Sequence, residues 1–156
     1  MAVLVGRHVM RIDRKGRVSV PKPFRDFYQS KGGFPGIYAY PSPKDAAIDA
    51  CDEERMQDIA ESVDDLDMFS EKQKDFAMVV LASAYQLSYD PEGRIVLHPD
   101  LIAHAGLDGE AMFVGCGPTF QIWQPQAFEP IYAQAVKRVK DGNATLSLRR
   151  RAAVPR

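Results

Sequence analysis

The sequence predicts a mixed α+β fold assembled from two similar halves, and three observations carry that expectation. A twelve-residue pattern occurs twice, as Arg11-Ile12-Asp13-Arg14-Lys15-Gly16-Arg17-Val18-Ser19-Val20-Pro21-Lys22 and as Ser88-Tyr89-Asp90-Pro91-Glu92-Gly93-Arg94-Ile95-Val96-Leu97-His98-Pro99. Each copy runs from Asp-x-x-Gly-Arg into a β-branched, alternating stretch followed by proline. Each half then closes on a segment with the spacing of an amphipathic helix.

The elements follow in order. Asp opens a tight turn by accepting hydrogen bonds from backbone just downstream, and Gly supplies the positive φ, so each copy predicts a hairpin. Its incoming arms are Val3–Ile12 and Ala84–Tyr89; its outgoing arms are Val18-Ser19-Val20 and Ile95-Val96-Leu97, ended by a residue that cannot donate to a ladder. Lys22–Tyr28 and Asp100–Ala105 predict short helices stopped by Gly32, Gly33 and Gly106. A second strand pair follows in each half, Gly36–Tyr40 with Ala47–Cys51 and Ala111–Val114 with Thr119–Trp123. Asp52 caps a helix marked by Met56, Ile59, Ala60 and Val63; the last helix carries a stripe of Phe128, Ile131, Tyr132, Ala135, Val136 and Val139. Between the halves, about Glu71–Ala82, a helix apolar nearly all round predicts burial, and the tail from Asn143 has no apolar period. Halves of about 75 residues hold little core alone, so a shared barrel is expected.

Composition narrows the class. Of 156 residues 46% are hydrophobic and 26% charged, which fits one globular domain or two very small ones rather than a disordered or membrane chain. No apolar run approaches the ~20 residues of a spanning helix. The opening Met1–Gly6 meets Arg7 and His8 too soon for a signal-peptide core. Two cysteines, Cys51 and Cys116, are too few for a disulfide framework and are expected as buried apolar groups in a cytosolic protein. Charge is polarised: residues 1–31 carry a net +6, residues 44–75 a net −8, residues 76–130 a net −5 and residues 131–156 a net +6. Basic ends and an acidic middle suit a chain whose ends face a polyanion.

Enzyme chemistry finds no footing. His8, His98 and His104 lack metal-ligand spacing, Gly115-Cys116-Gly117-Pro118 reads as a strand connection, and Ser19 has no triad context. Asp64, Asp65 and Asp67 form a solvated helix end, and Trp123 is expected in the core. No metal or cofactor is expected.

Residues 5–140 resemble the MraZ family of bacterial transcriptional regulators. The resemblance rests on Ile12–Pro21 with Phe24-Arg25, on Asp90–Leu97, on Ala105-Gly106-Leu107, on Gly115 and on Phe120-Gln121-Ile122-Trp123. It implies two AbrB-like swapped-hairpin β-barrel repeats with flanking helices, pseudo-twofold within the chain. The repeats would span residues 5–67 and 84–140; from its apolarity the helix at 68–83 is expected to be a buried link, and from its lack of an apolar period the basic tail at 141–156 is expected to be mobile. It further implies sequence-specific binding of double-stranded DNA through the Asp-x-x-x-Arg motif, in the cytoplasm at the nucleoid. Ring-shaped homo-oligomers, an octamer among them, would engage short direct repeats in the promoter of the division and cell-wall genes, including the chain's own. Two positions depart from the first copy: Glu92 stands where it has Lys15, and His98 where it has Pro21.

The residues expected at DNA follow from charge and reach. A protruding ribbon can enter the major groove, where an Arg meets guanine O6 and N7 with both amino groups. Arg17 is the principal candidate, with Arg14 and Lys15 beside it; Arg7, Arg11, Lys22 and Arg25 suit phosphates. Asp13 and Asp90 are expected to fix the turns. Arg17 can pair with Asp13 and still face DNA, and Arg94 either holds its own turn or touches DNA. The run Arg149-Arg150-Arg151 would either touch phosphates or complement the last helix. The rival reading is an antitoxin-like or scaffold module that holds a protein partner through the same barrel.

Overall fold

Pairing between the halves, not within them, organises the chain. The computed structural model describes residues 3–149. The first half contains β1 (Arg7–Arg11), β2 (Arg17–Ser19), α1 (Lys22–Ser30), β3 (Gly36–Pro41), β4 (Ile48–Cys51) and α2 (Glu53–Asp64). Then α3 (Glu71–Phe76) runs into a π-helical turn at Ala77–Leu81. The second half contains β5 (Tyr85–Ser88), β6 (Arg94–Val96), α4 (Pro99–Ala105), β7 (Glu110–Gly115) and β8 (Phe120–Trp123), followed by α5 (Pro125–Asp141). The expected mixed α+β class is the observed one.

Six strands make one antiparallel sheet in the order β1-β7-β8-β4-β3-β5, and β2 pairs with β6 in a separate ribbon. Exchanging the halves maps this order onto itself. The registers agree: Arg11 faces Glu110 in one edge pair, and Ser88 faces Gly36 in the other. Two expectations are corrected here. The arms of the first copy do not form a hairpin ladder, since β1 and β2 share only the Ile12–Val18 bridge while β1 pairs with β7. Nor do the described strands close into a barrel, because β2 and β6 pair with each other and leave β1 and β5 as open edges. The gain is in the core. Crossing the halves sets Val18 beside Ile95, both fully buried, in a cluster that includes Ile37, Phe113 and Phe120. A two-stranded hairpin within either half has too little apolar surface to hold itself together.

The helices seal this crossing. Proline at its start and the apolar spacing of Phe24 and Tyr28 set α1, and both rings are buried. Phe24 lies 5.3 Å from Phe120, and the Tyr28 hydroxyl donates to the Pro118 carbonyl at 3.0 Å, which ties the first-half helix to second-half strands. Burying one such ring contributes about 1.5–3 kcal/mol. In the second half Leu101 and Ala105 play the corresponding part on α4, which ends at Gly106 in the left-handed conformation. Asp52 and Ser70 cap α2 and α3 by accepting backbone N–H groups, as the sequence predicts for Asp52.

The helix between the halves is less covered than its composition predicts. Val80 is buried, but Phe76, Met78 and Val79 are 43%, 56% and 44% exposed. Within a single chain, sheet and α2 cover one side of an all-apolar segment and leave the other to solvent. Trp123 is buried as expected, and Cys51 is buried while Cys116 is exposed. Up to Pro125 the chain is one compact unit; from Gln126 it is another, in which Phe128 stacks on Tyr132 at 5.8 Å. Residues 144–149 have no regular structure, and Arg150 and Arg151 lie outside the described residues. Among the described residues no helix is long and apolar enough to cross a membrane.

Candidate nucleic-acid interface

The first turn is held by one carboxylate. Asp13 Oδ1 accepts from the backbone N–H groups of Lys15 and Arg17, each at 2.9 Å, and its Oδ2 accepts from Arg17 Nε at 2.6 Å. The Gly16 N–H donates to the Asp13 carbonyl at 3.0 Å, and the Asp13 N–H to the Arg17 carbonyl at 3.0 Å. These bonds, the backbone N–H of Arg17 foremost, hold the Asp13 carboxyl below its ordinary 3.8. Gly16 has φ +79°, and a Cβ there would come within 2.9 Å of the Leu97 carbonyl. Only glycine fits both the backbone and the approach.

That arrangement orients Arg17. Alternation in β2 buries Val18 and turns Arg17 and Ser19 outward, opposite Val96 and Arg94 of β6. With Nε committed to Asp13, the guanidinium presents its two terminal amino groups as the edge for a partner. Arg14 and Lys15 are exposed at the tip, and the turn's backbone uses neither side chain. The result is a cationic tip with one pre-oriented arginine, on a ribbon that does not protrude as expected, because Val18 and Ile95 bury its inner face in the core.

The second turn repeats the scaffold bond for bond. Asp90 Oδ1 accepts from the N–H groups of Glu92 at 2.9 Å and Arg94 at 2.8 Å, and Oδ2 from Arg94 Nε at 2.8 Å. Its carboxyl is likewise held below 3.8, and the Asp90 bond raises the Arg94 guanidinium in turn. The difference lies outward: Arg94 Nη2 meets Glu92 at 3.4 Å. Residues 13–17 carry a net +2, whereas residues 90–94 carry a net −1. Antiparallel pairing of two three-residue strands sets the turns about 10 Å apart on one ribbon.

The other candidates are spread more widely. Arg7 and Arg11 lie on the exposed side of edge strand β1, with Arg11 across from Glu110. Lys22 pairs with Asp26 at 2.9 Å along α1. Arg25 points to the other turn: its Nε donates to the Val20 carbonyl at 2.9 Å, and its guanidinium lies over Gly93. Among the described residues no cluster of three His, Cys, Asp or Glu could hold a metal.

Two neighbours beside the tips are not signalled by the sequence. Ser19 stands next to Arg94 on the outer face; strand alternation assigns the face, and the β2–β6 register assigns the neighbour. Tyr85 stacks on His98 at 4.3 Å, and His98 Nδ1 accepts from the Asp100 N–H, so the residue in place of Pro21 caps α4. No local signal brings Tyr85 to it.

Comparison with known proteins bears on the same residues. Residues 80–150 match the family model described as "MraZ protein, putative antitoxin-like". The transcriptional regulator MraZ of Pelagibacter ubique is 42% identical over 136 residues, 87% of each chain. That of Rickettsia bellii is 41% identical over 86% of this chain and 89% of its own, and that of Rickettsia canadensis 38% over 94% and 97%. At these identities over most of its length, the chain belongs to the MraZ family of transcriptional regulators.

Proposed function

We propose that the chain is a sequence-specific DNA-binding regulator that represses the division and cell-wall gene cluster, its own promoter included, through the first turn. The observation that carries this reading is Arg17, held at Nε by Asp13 on the outer face of the β2–β6 ribbon with Arg14 and Lys15 exposed beside it. A guanidinium fixed in this way offers two parallel donors, the geometry that guanine O6 and N7 accept, with discrimination of about 1–3 kcal/mol per good pair. Arg14 and Lys15 meet phosphates, and Arg7 and Arg11 extend that contact along β1. Lys22 and Arg25, engaged by Asp26 and Val20, add long-range charge.

A single tip makes few contacts. Several tips on one ring engaging several direct repeats make the later contacts intramolecular, which multiplies affinity without new chemistry. Self-association into a ring also covers the apolar side chains left open on α3 and the turn after it, Phe76, Met78 and Val79, with Phe69 92% exposed nearby. The test is anisotropy of a labelled duplex from upstream of the chain's own gene, against a scrambled duplex at moderate salt. Wild type binds the upstream duplex selectively, and Arg17→Ala loses that binding while its oligomeric mass and circular dichroism stay unchanged. Wild-type affinity in Arg17→Ala would remove the reading.

One observation favours a second reading, a module that holds a protein partner. A groove of about 600 Å³ between β3, β4, α2 and α3 has apolar walls at Ile59, Val63, Phe76 and Val80, with Asp49 and Asp58 balanced by Arg55 and Lys72. Equal, salt-labile binding of upstream and scrambled duplexes would favour it over the regulator.

A further inference from the structure

We propose that Glu92 silences the second turn as a DNA contact, so that each chain presents one reading tip instead of two. This rests on the DNA-binding reading of the first turn. The two turns share backbone, carboxylate and arginine, so the scaffold alone would make Arg94 as competent as Arg17. Two positions differ: Pro91 stands in the place of Arg14 and removes a cation, and Glu92 stands in the place of Lys15 and adds an anion, its carboxylate 3.4 Å from Arg94 Nη2. That amino group belongs to the outward edge which on Arg17 remains for a base or phosphate. Glu92 is 71% exposed, so its charge is also displayed toward an approaching duplex, where phosphates repel it.

Stability does not account for Glu92. An exposed ion pair between flexible side chains contributes little to folding. The turn takes only a backbone N–H from this residue, donated to Asp90. Lys15 supplies the same N–H to Asp13, so the chain itself contains the proof that this position accepts a cation without loss of the turn. Arg25 brings a cation beside this turn but does not take the place of Lys15 at the tip, because its half-buried side chain lies over Gly93 with Nε bonded to the Val20 carbonyl. Under this reading the second copy keeps Asp90, Gly93 and Arg94 for the fold and uses position 92 to decline DNA. A duplex then meets one reader per protomer, which spaces contacts by the ring and not by the ~10 Å between turns of one ribbon.

The experiment is a salt titration of binding to the upstream duplex by wild type, Glu92→Gln, Glu92→Lys and, as a remote charge control, Glu61→Lys on the exposed side of α2. Glu92→Gln raises affinity severalfold. Glu92→Lys raises it about tenfold, with a dependence on log salt steeper by about one, as expected for one more neutralised phosphate. Glu61→Lys leaves the slope unchanged. Melting curves of both Glu92 variants match wild type. An unchanged or weaker affinity in both Glu92 variants overturns the proposal, as do equal gains from Glu61→Lys. If Arg17→Ala loses binding and the Glu92 variants gain none, only this inference fails. If wild type itself ignores the upstream duplex, the regulator reading fails and takes this inference with it.

Discussion

The two turns of the β2–β6 ribbon are the same structure with different chemistry. Leu97 donates its N–H to the Gly16 carbonyl at 2.8 Å, and Val20 donates to that of Gly93 at 3.2 Å, so each turn is anchored by the other half's strand. Even the covering residues correspond: the Ile102 side chain lies 3.7 Å from where a Gly16 Cβ would be, as Arg25 lies over Gly93. Asp, Gly and Arg recur because the turn needs a carboxylate, a positive φ and a guanidinium. The two positions between Asp and Gly are Arg14-Lys15 in one copy and Pro91-Glu92 in the other. Their side chains are the ones the turn does not use. A scaffold that leaves residues idle leaves them open to functional divergence, and here the charge at those positions separates a cationic tip from an acidic one.

The largest effect that could break this comparison is on DNA binding. If the proposed bidentate contact is made and repeated around an oligomer, Arg17→Ala should lower affinity for the upstream duplex by about a hundredfold or more. Arg94→Ala should lower it by a few-fold at most. Equal losses measured by anisotropy would mean that both tips read DNA.

Structurally the two copies should behave alike. Ile95 and Val18 sit side by side with 0% and 1% exposure. Ile95→Ala should cost about 2–5 kcal/mol in urea unfolding, the range for deleting a buried branched side chain. Val18→Ala removes fewer atoms and should cost less, with the same loss of cooperativity. A local effect confined to one half would contradict the shared core.

Much of this arrangement is legible in the sequence because its causes are local. Asp-x-x-Gly-Arg names the turn, and Val18-Ser19-Val20 names the buried and exposed faces. Asp52 names a helix start, and Gly106 a helix stop. The pairing of β2 with β6 is not local: alternation assigns Val18 to a core but does not say which strand lies beside it. The same gap hides Arg25, expected at phosphates beyond the first turn, whose side chain lies over Gly93 of the second. It also explains the segment Phe76–Leu81. All-round apolarity says that cover is needed, and it is silent on whether the same chain supplies it. For the proposed DNA contacts, the charge pattern gathers Arg14, Lys15 and Arg17 at one turn, where the structure also places them. Glu92 is legible too, as the departure from Lys15 beside Arg94; the structure adds its distance of 3.4 Å from Arg94 Nη2.

Glycine substitutions sharpen the structural half of the comparison. Gly16 and Gly93 both have φ +79°, where other residues are strained by about 1–3 kcal/mol. Gly16→Ala should destabilise more, because its Cβ meets the Leu97 backbone carbonyl, whereas Gly93→Ala meets the end of the flexible Arg25 side chain. Thermal melts of the two variants would rank them, and the opposite ranking would mean that Arg25 is the more rigid neighbour.

The smallest effect is the response to acid. Asp13 and Asp90 have carboxyls held below 3.8, mainly by backbone N–H donors. A depressed value in the folded chain means that the stability these groups supply is complete above 3.8. It is lost as pH falls through the lowered value. Asp49 opposes them: burial raises its carboxyl above 3.8, so protonation on acidification relieves a cost. The net loss should therefore be modest and confined to below about pH 4. Asp90→Asn should flatten part of that loss, Asp13→Asn an equal part, because the same bonds produce both. Unfolding midpoints at pH 5 and pH 3 test the pair, and a flattened response from only one of them would show that the scaffolds differ in strength despite their matching geometry. Equal responses, alongside unequal DNA binding, would leave the idle positions between Asp and Gly as the place where the two copies part.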